Sequence, residues 1–562
     1  MLRSATEVPL TVSPGAPQPL AVQVATQFRD AMADGRLAAG ERLPATRALA
    51  VSLGVSRTVI TSAYAQLFAE GWIEGRHGSG TFVAEGAPGC AGPSRGGGLA
   101  GLGVAGPSAN GLTGAAALTG AAAPTGAAAL TEPGLAGAGE ADGADAGRVA
   151  ADSGLINLRP GIPWAAGIDQ AAWRRAWRQA GHQLPGGVPP VPGLPGLRQA
   201  LTGYLRRSRG VRCTADQILI TRGVGGSLAL LAAGLLQPGD MVGVEEPGYQ
   251  AAWQVFESRG ARVVPCGVDR DGLVVSELPA GLRMVYTTPA HQYPLGGRLP
   301  VPRRQALVAW ARAAGALIVE DDYDGEFRYD VAPLPALFGL DPETVVYLGT
   351  TSKTLTPGLS TGWLVAQPWL AGRLAETAVA AGERAGEAAQ RAVLALIAGG
   401  DLERHIRRMR HEYARRRAAI VEALTEVVPG RLRGDTAGMH IVLELPPGRA
   451  RRVAATARER GVAVVTLDRY YAGPAIRGGL VLGYGGASLG EVTAGCRILA
   501  EILRGQQQPR GGGPGRDASP TGAIPAGAAG PAGAARTTRS AGPAGPAGSA
   551  KPAGTAKPAG TA

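Results

Sequence analysis

Apolar residues recur at helical spacing from Leu20 to Asp34 (Leu20, Val24, Phe28, Met32), and Gly35 ends the run. Pro44 can open a second helix that continues through Leu53 and stops at Gly54. Ser56 is a good N-cap for a third, Arg57 to Glu70. Two helices joined by the tight turn Gly54-Val55 predict a helix-turn-helix. Trp72-Ile73-Glu74 and Thr81-Phe82-Val83 can pair as strands around His77-Gly78-Ser79-Gly80, which predicts a wing.

Periodicity then lapses. Residues 87–152 and the stretch from 506 to 562 are Gly/Ala/Pro-rich, carry no apolar face, and are expected to be a disordered linker and tail. Between them, from 153 to 505, short apolar runs alternate with amphipathic stretches. The candidate strands are Ile218–Thr221, Val242–Glu245, Arg262–Cys266, Met284–Thr287, Ala316–Glu320, Val345–Leu348 and Trp363–Ala366. Stretches such as Gly225–Leu236 and Arg303–Ala314 read as helices between them. This alternation predicts a largely parallel sheet covered by helices. Four segments follow: a DNA-binding domain over 1–86, a linker over 87–152, a large α/β domain over 153–505 and a tail over 506–562.

Charge changes this picture little. The formal net charge is +12, yet residues 1–86 hold seven acids and seven bases, so a DNA-binding role must rest on the motif. The excess sits largely in the tail and in an arginine-rich segment, Arg404 to Arg417, which reads as a solvated helix face. Four scattered cysteines (Cys90, Cys213, Cys266, Cys496) lack metal or redox spacing. No stretch reads as a signal peptide or a bilayer span, so a cytoplasmic protein without a membrane partner is expected.

Candidate chemistry gathers where the predicted strands end, the usual ligand edge of such sheets. Gly349-Thr350-Thr351-Ser352-Lys353-Thr354 sets one lysine among small hydroxyls, in a chain with few lysines. A lysine so placed can form an imine with an aldehyde, the chemistry a pyridoxal phosphate (PLP) enzyme needs. Thr221-Arg222-Gly223-Val224-Gly225-Gly226 opens a helix whose amides can hold a phosphate. Tyr249 can stack on a flat ring, and a long polar loop carries His291, structural by default. Glu320-Asp321-Asp322-Tyr323-Asp324 ends a strand in clustered carboxylates. Metal binding is a rival reading there, but no histidine lies nearby in sequence, and a carboxylate paired with a pyridinium nitrogen fits better.

The stretch Leu43 to Val83 resembles the GntR-type winged helix: Leu-Pro-x-x-Arg, Val-Ser-Arg-x-x-Val, Ala-Tyr-x-x-Leu-x-x-Glu-Gly and Gly-Ser-Gly-Thr-Phe-Val. The strand-end motifs, in this order, resemble fold-type I aminotransferases. Joined, the two halves are similar to the MocR/GabR family of PLP-dependent transcription regulators, over residues 20–83 and 155–503. The resemblance implies that Lys353 carries the imine, Asp321 meets the ring nitrogen, Tyr323 the phenolic oxygen, and Tyr249 the ring face. It places Val224, Gly225, Thr350 and Ser352 around the phosphate. It puts DNA contacts at Arg47, Ser56, Arg57, Thr58, Thr61, His77 and Gly78. It implies a homodimer on double-stranded operator DNA that senses PLP, an amine or an amino acid. Three positions depart from the pattern: Ser360 stands where the family has a phosphate-gripping arginine, Val188 where it has a tyrosine, and Ala290 where it has a serine. These leave open an active aminotransferase with a DNA module, or a DNA-binding dimer whose PLP site is degenerate. Arg477 is the nearest candidate to hold a substrate carboxylate.

Overall fold

The computed structural model describes residues 10–16, 19–70, 72–76, 80–84, 154–182, 184, 188–329 and 335–505. The expected linker and tail lie outside these residues, as do His77 and Gly78 of the wing tip.

The N-terminal domain is three helices and a hairpin: α1 (Leu20–Ala33), α2 (Thr46–Ser52), α3 (Arg57–Glu70), β1 (Ile73–Arg76) and β2 (Gly80–Val83). Val24, Phe28 and Met32 of α1 bury against Leu49, Ile60, Tyr64 and Leu67. The Tyr64 hydroxyl donates to the carbonyl of Pro44 at 2.7 Å and ties α3 to the approach of α2. That approach is extended, so α2 starts at Thr46 and not at Pro44 as its sequence suggests. Leu43 N–H bonds Thr81 O, which draws this segment alongside the wing, and Ala45 has extended φ and ψ. The hairpin is antiparallel, pairing Ile73 with Val83.

The large domain is built on an eight-stranded sheet. Its strands are β4 (Ile218–Thr221), β5 (Met241–Glu246), β6 (Arg262–Asp269), β7 (Gly272–Leu273), β8 (Leu282–Thr287), β9 (Leu317–Asp321), β10 (Val345–Thr350) and β11 (Gly362–Val365). In space they run β4-β11-β10-β9-β8-β5-β6-β7. The pairs among β5, β6, β8, β9 and β10 are parallel, as the apolar runs predict. β11 departs from this: it lies antiparallel to both β10 and β4. The central strands are buried on both faces, which is why they read as continuous apolar runs and not as alternation. One face is covered by α6 (Gly223–Leu235) and α7 (Gln250–Ser258) through Leu228, Leu231, Trp253 and Phe256. The other packs on α4 (Gln170–His182), α5 (Pro195–Arg209) and α8 (Val301–Ala314). A four-stranded sheet of β12 (Leu432–Arg433), β13 (His440–Glu444), β15 (Val465–Thr466) and β16 (Gly479–Gly483) forms a second layer. It packs with α12 (Pro447–Glu459) and α13 (Leu489–Gly505). The domain also contains β3 (Ile156–Asn157), paired in parallel with β14 (Val462–Ala463), and the helices α9 (Pro368–Ala380) and α10 (Glu387–Ala398).

The arginine-rich segment lies in α11 (Asp401–Thr425), and it is not simply a solvated face. Leu402, Ile406, Met409, Tyr413 and Ile420 make one side of this helix core. Arg416 is buried with them: its guanidinium sits 4.4 Å from the Trp164 ring centroid and donates to the Gly485 carbonyl at 3.1 Å. A helical period explains both faces. Arginine stems are long enough to pack while their heads reach backbone carbonyls. Among the described residues no helix is long and apolar enough to cross a membrane.

One interior ion pair holds α5 to the loop after β9. Arg209 and Asp322 both have fully buried side chains, and Arg209 Nη2 donates to Asp322 Oδ1 at 2.6 Å. Arg209 also donates to the Gly325 carbonyl, and Tyr347 donates to Asp322. Removing one partner leaves a buried charge without its counter-charge. Arg209→Met is therefore expected to destabilise the protein by about 3–5 kcal/mol in urea unfolding followed by circular dichroism. The double variant Arg209→Met, Asp322→Asn should recover part of that loss; a single variant as stable as wild type would contradict this role.

Candidate functional site

Strand register brings the predicted residues to one sheet edge. Leu348 of β10 pairs with Asp321 of β9, so the loop carrying Lys353 leaves the sheet beside Asp321. Thr350 pairs with Gly362 of β11, and Gly362 with Thr221 of β4. That brings the turn before α6 to the same edge. Tyr249 follows β5 and precedes the first turn of α7. Lys353, Asp321, Tyr323, Tyr249, Val224, Gly225, Thr350 and Ser352 thus all sit at or just past the ends of β4, β5, β9 and β10.

The lysine is oriented from far away in sequence. Its Nζ donates to the carbonyl of Gly161 at 2.7 Å. Gly161 has φ +83, a left-handed conformation that favours glycine, and a Cβ there would stand 3.1 Å from Nζ. Around Lys353 the hydroxyls order one another: Thr350 Oγ1 bonds Ser352 Oγ at 2.9 Å and accepts from Ser352 N–H at 3.1 Å. Gly223, with φ +72, turns the chain into α6, and the first turn of that helix contains Val224 and Gly225.

Most carboxylates of the acidic stretch have structural partners. Glu320 accepts from the N–H groups of Leu337 and Phe338, and burial pushes it up to about 7. Asp322 pairs with Arg209. Glu326 accepts from Tyr204 at 2.7 Å, and burial pushes it also up to about 7. Asp324 Oδ2 lies 3.0 Å from His291 Nδ1. Asp321 differs. One of its oxygens accepts from the Tyr286 hydroxyl at 2.5 Å, while Oδ1 is buried with no hydrogen-bond partner. Burial pushes its carboxyl up to about 7, against the pull of the Tyr286 bond and the positive Lys353 nearby. A buried acceptor without a donor is costly and rare. A protonated ring nitrogen is the donor that PLP would supply, so this site fits that group.

The flanking aromatics are placed to match. The Tyr249 ring is near-parallel to Tyr286, with centroids 6.5 Å apart. The Tyr323 hydroxyl donates to the His291 carbonyl at 3.0 Å and lies 3.0 Å from His291 Nδ1.

One expectation needs correction. Histidines do stand beside the acidic stretch: His291 and His440 both approach Asp324, with the three side chains buried. Sequence distance hid this, because β13 brings His440 in from the other layer. Arg477 lies exposed before β16, along a surface groove with Arg431, Arg433 and Asp435. Ser360 is exposed with φ +44, and Val188 is 79% exposed. Neither a hydroxymethyl group nor an exposed valine can form a charged grip on a phosphate. Residues that sequence reasoning missed are Gly161, Tyr286 and His440. Only Tyr286 carried a signal, as a polar ring within an apolar strand.

In the N-terminal domain Arg47 is exposed on the first turn of α2. Ser56, Arg57, Thr58 and Thr61 are exposed at the start of α3. Ser56 Oγ accepts weakly from Val59 N–H at 3.4 Å, as an N-cap does.

Comparison with known proteins agrees with both halves. Residues 20–83 match the model of bacterial regulatory proteins of the gntR family, and 164–477 that of aminotransferase class I and II. The pyridoxine biosynthesis transcriptional regulator PdxR of Corynebacterium glutamicum is 33% identical, over 85% of this chain and 95% of that protein. The probable rhizopine catabolism regulatory protein MocR of Rhizobium meliloti is 32% identical, over 86% and 93%. Among solved structures, kynurenine aminotransferase of Pyrococcus horikoshii matches with TM-score 0.60 and 28% identity, over 65% of this chain and 95% of that one. The α-aminoadipate aminotransferase LysN of Thermus thermophilus matches with TM-score 0.57 and 28% identity, over 65% and 98%. This chain therefore belongs to the MocR/GabR-type transcription regulators, in which a DNA-binding GntR winged helix is fused to a fold-type I aminotransferase domain that takes pyridoxal phosphate.

Proposed function

We propose that this regulator holds PLP through Lys353 and that cofactor loading, or its exchange onto an amine or amino acid, sets how a pair of winged helices meets operator DNA in the cytoplasm. The observation that carries the reading is the buried, donor-less Asp321 Oδ1 on the same strand edge as Lys353. When bound, PLP supplies an electron-withdrawing ring and an aldehyde for an amine to capture. Asp321 would hold the proton at the ring nitrogen, and Tyr323 Oη would donate to the phenolic oxygen. Tyr249 would cover one ring face. Amides of Val224 and Gly225, with the hydroxyls of Thr350 and Ser352, would take the phosphate. Lys353 would bring its primary amine, kept in place by the Gly161 carbonyl until it reacts.

Coupling to DNA requires that the loaded and unloaded forms differ in conformation and that the effector prefers one. A homodimer would place two α3 helices on half-sites related by its symmetry. Arg57, Thr58 and Thr61 would face base edges, Ser56 and Arg47 the phosphates. His77 and Gly78 belong to this set by sequence alone. The domain division at 86, 152 and 505 is part of the proposal. Ser360 favours a second reading, in which the phosphate is held weakly: a lost charge-assisted bond of about 1.5–3 kcal/mol corresponds to roughly ten- to a hundredfold in affinity. Such a protein would sense PLP over a higher range and turn over poorly as an aminotransferase.

Purified protein mixed with PLP is expected to show a visible absorption band that Lys353→Ala lacks. A colourless wild type, or an unchanged band in the variant, would defeat the cofactor reading. Asp321 gives a pH test. Its folded pKa, about 7, lies above its unfolded value of about 3.9. Folding therefore favours the neutral acid, and the cofactor-free protein loses stability as pH rises from about 4 through about 7. Asp321→Asn should raise the Tm of cofactor-free protein at pH 8, give no gain at pH 4, and weaken PLP binding; equal Tm shifts at both pH values would contradict the assignment. On DNA, Arg57→Ala should cost about 1–3 kcal/mol and relax sequence preference at one position. Arg47→Ala should weaken all sequences alike and lower the slope of log K against log salt by about 1, as read by fluorescence anisotropy.

A further inference from the structure

Two residues after Asp322, Asp324 enters a second cluster that the PLP reading does not use. One ligand atom each from His291, Asp324 and His440 lies within 4.8 Å of the others, and each residue is 2% exposed. The three come from separate elements: the loop after β8, the turn after β9, and the first residue of β13. His291 Nδ1 and Asp324 Oδ2 are already 3.0 Å apart. His291 Nε2 and Asp324 Oδ1 are buried without a hydrogen-bond partner. Backbone has been cleared around them: a Cβ on Gly438, whose φ is +75, would stand 2.0 Å from His291 Cε1 and 2.8 Å from Asp324 Oδ2.

We propose that His291, Asp324 and His440 form a binding site for one divalent transition-metal ion of the zinc class.

The donor set supports that class of ion. Two imidazoles and one carboxylate suit a borderline-soft ion and leave a fourth position open. Bonds of about 2.0–2.2 Å to a tetrahedral ion put ligand atoms about 3.3 Å apart, so side-chain shifts of about an ångström bring the three into range. His440 has the outer-shell contact that metal-bound histidines use. Its Nε2 lies 2.8 Å from the carbonyl of Pro294, which can only accept, so Nε2 carries the proton and Nδ1 keeps its lone pair. A cavity of about 10 Å³, roughly one water, is lined by His291 and Asp324. Two guanidiniums also line this cavity, but their charges are matched: Arg209 by Asp322, and Arg328 by Asp435 at 2.8 Å. The inference stands on these three side chains and does not depend on PLP. If both sites fill, the ion lies one side chain from the Tyr323 hydroxyl, through His291 Nδ1.

The test uses the full chain without an affinity tag, stripped with chelator and dialysed against micromolar zinc chloride. Elemental analysis should find one zinc per chain in wild type and in His411→Ala, whose histidine is exposed on α11. Asp324→Asn and His440→Gln should each lose at least tenfold in zinc affinity. Zinc absent from wild type, leaving a site filled by water, would overturn the proposal, as would zinc retained in both variants. If a variant fails to fold, the cobalt-substituted wild type decides. The strong visible d–d bands of four-coordinate cobalt support the site; a six-coordinate spectrum or none overturns it.

Discussion

A charge that water cannot reach governs the large domain. The stretch from Glu320 to Glu326 puts five carboxylates into the interior at the end of β9. Each must find a donor or stay protonated, because burial without a partner costs several kcal/mol. The fold answers for most of them with backbone N–H groups, Tyr204 and Arg209. These partners pull α5 and the short turn at Leu337 against the sheet, so the acidic stretch is as much a framework as a site. Asp321 and Asp324 are each left with one oxygen facing no donor, and at Asp321 a protonated ring nitrogen would supply it.

The rest of the site follows from where strands end. Parallel pairing of β9 with β10 puts the loop of Lys353 beside Asp321, and antiparallel β11 links β10 to β4. One reversed strand thus carries the turn before α6 to the edge where Thr350 and Ser352 wait. The ends of rigid strands place these candidate contacts, and a cofactor ring needs such positioning. The recognition helix has a different character. Its candidate contact residues are exposed, while Tyr64 on the opposite face anchors it.

Much of this was legible in the residues. Apolar runs located seven strands of the large sheet to within three positions, and the hydroxyl-rich turn singled out Lys353. Period reveals which residues share a face but not what lies across from them. The Gly161 carbonyl is 192 residues from Lys353, and His440 lies far from His291 in sequence. No local pattern could have paired them. Arg416 failed for a related reason: an arginine reads as solvent-facing until a ring such as Trp164 is found beneath it. The start of α2 shifted because a strand contact at Leu43 outweighed the helix-opening preference of Pro44.

The central claim is that one amine, Lys353, captures the cofactor at the open end of β10. Borohydride reduction of protein incubated with PLP, followed by peptide mapping in a mass spectrometer, tests this directly. The account predicts a single pyridoxyl mass increment on the peptide that contains Lys353. An unmodified Lys353 peptide under saturating PLP would contradict it.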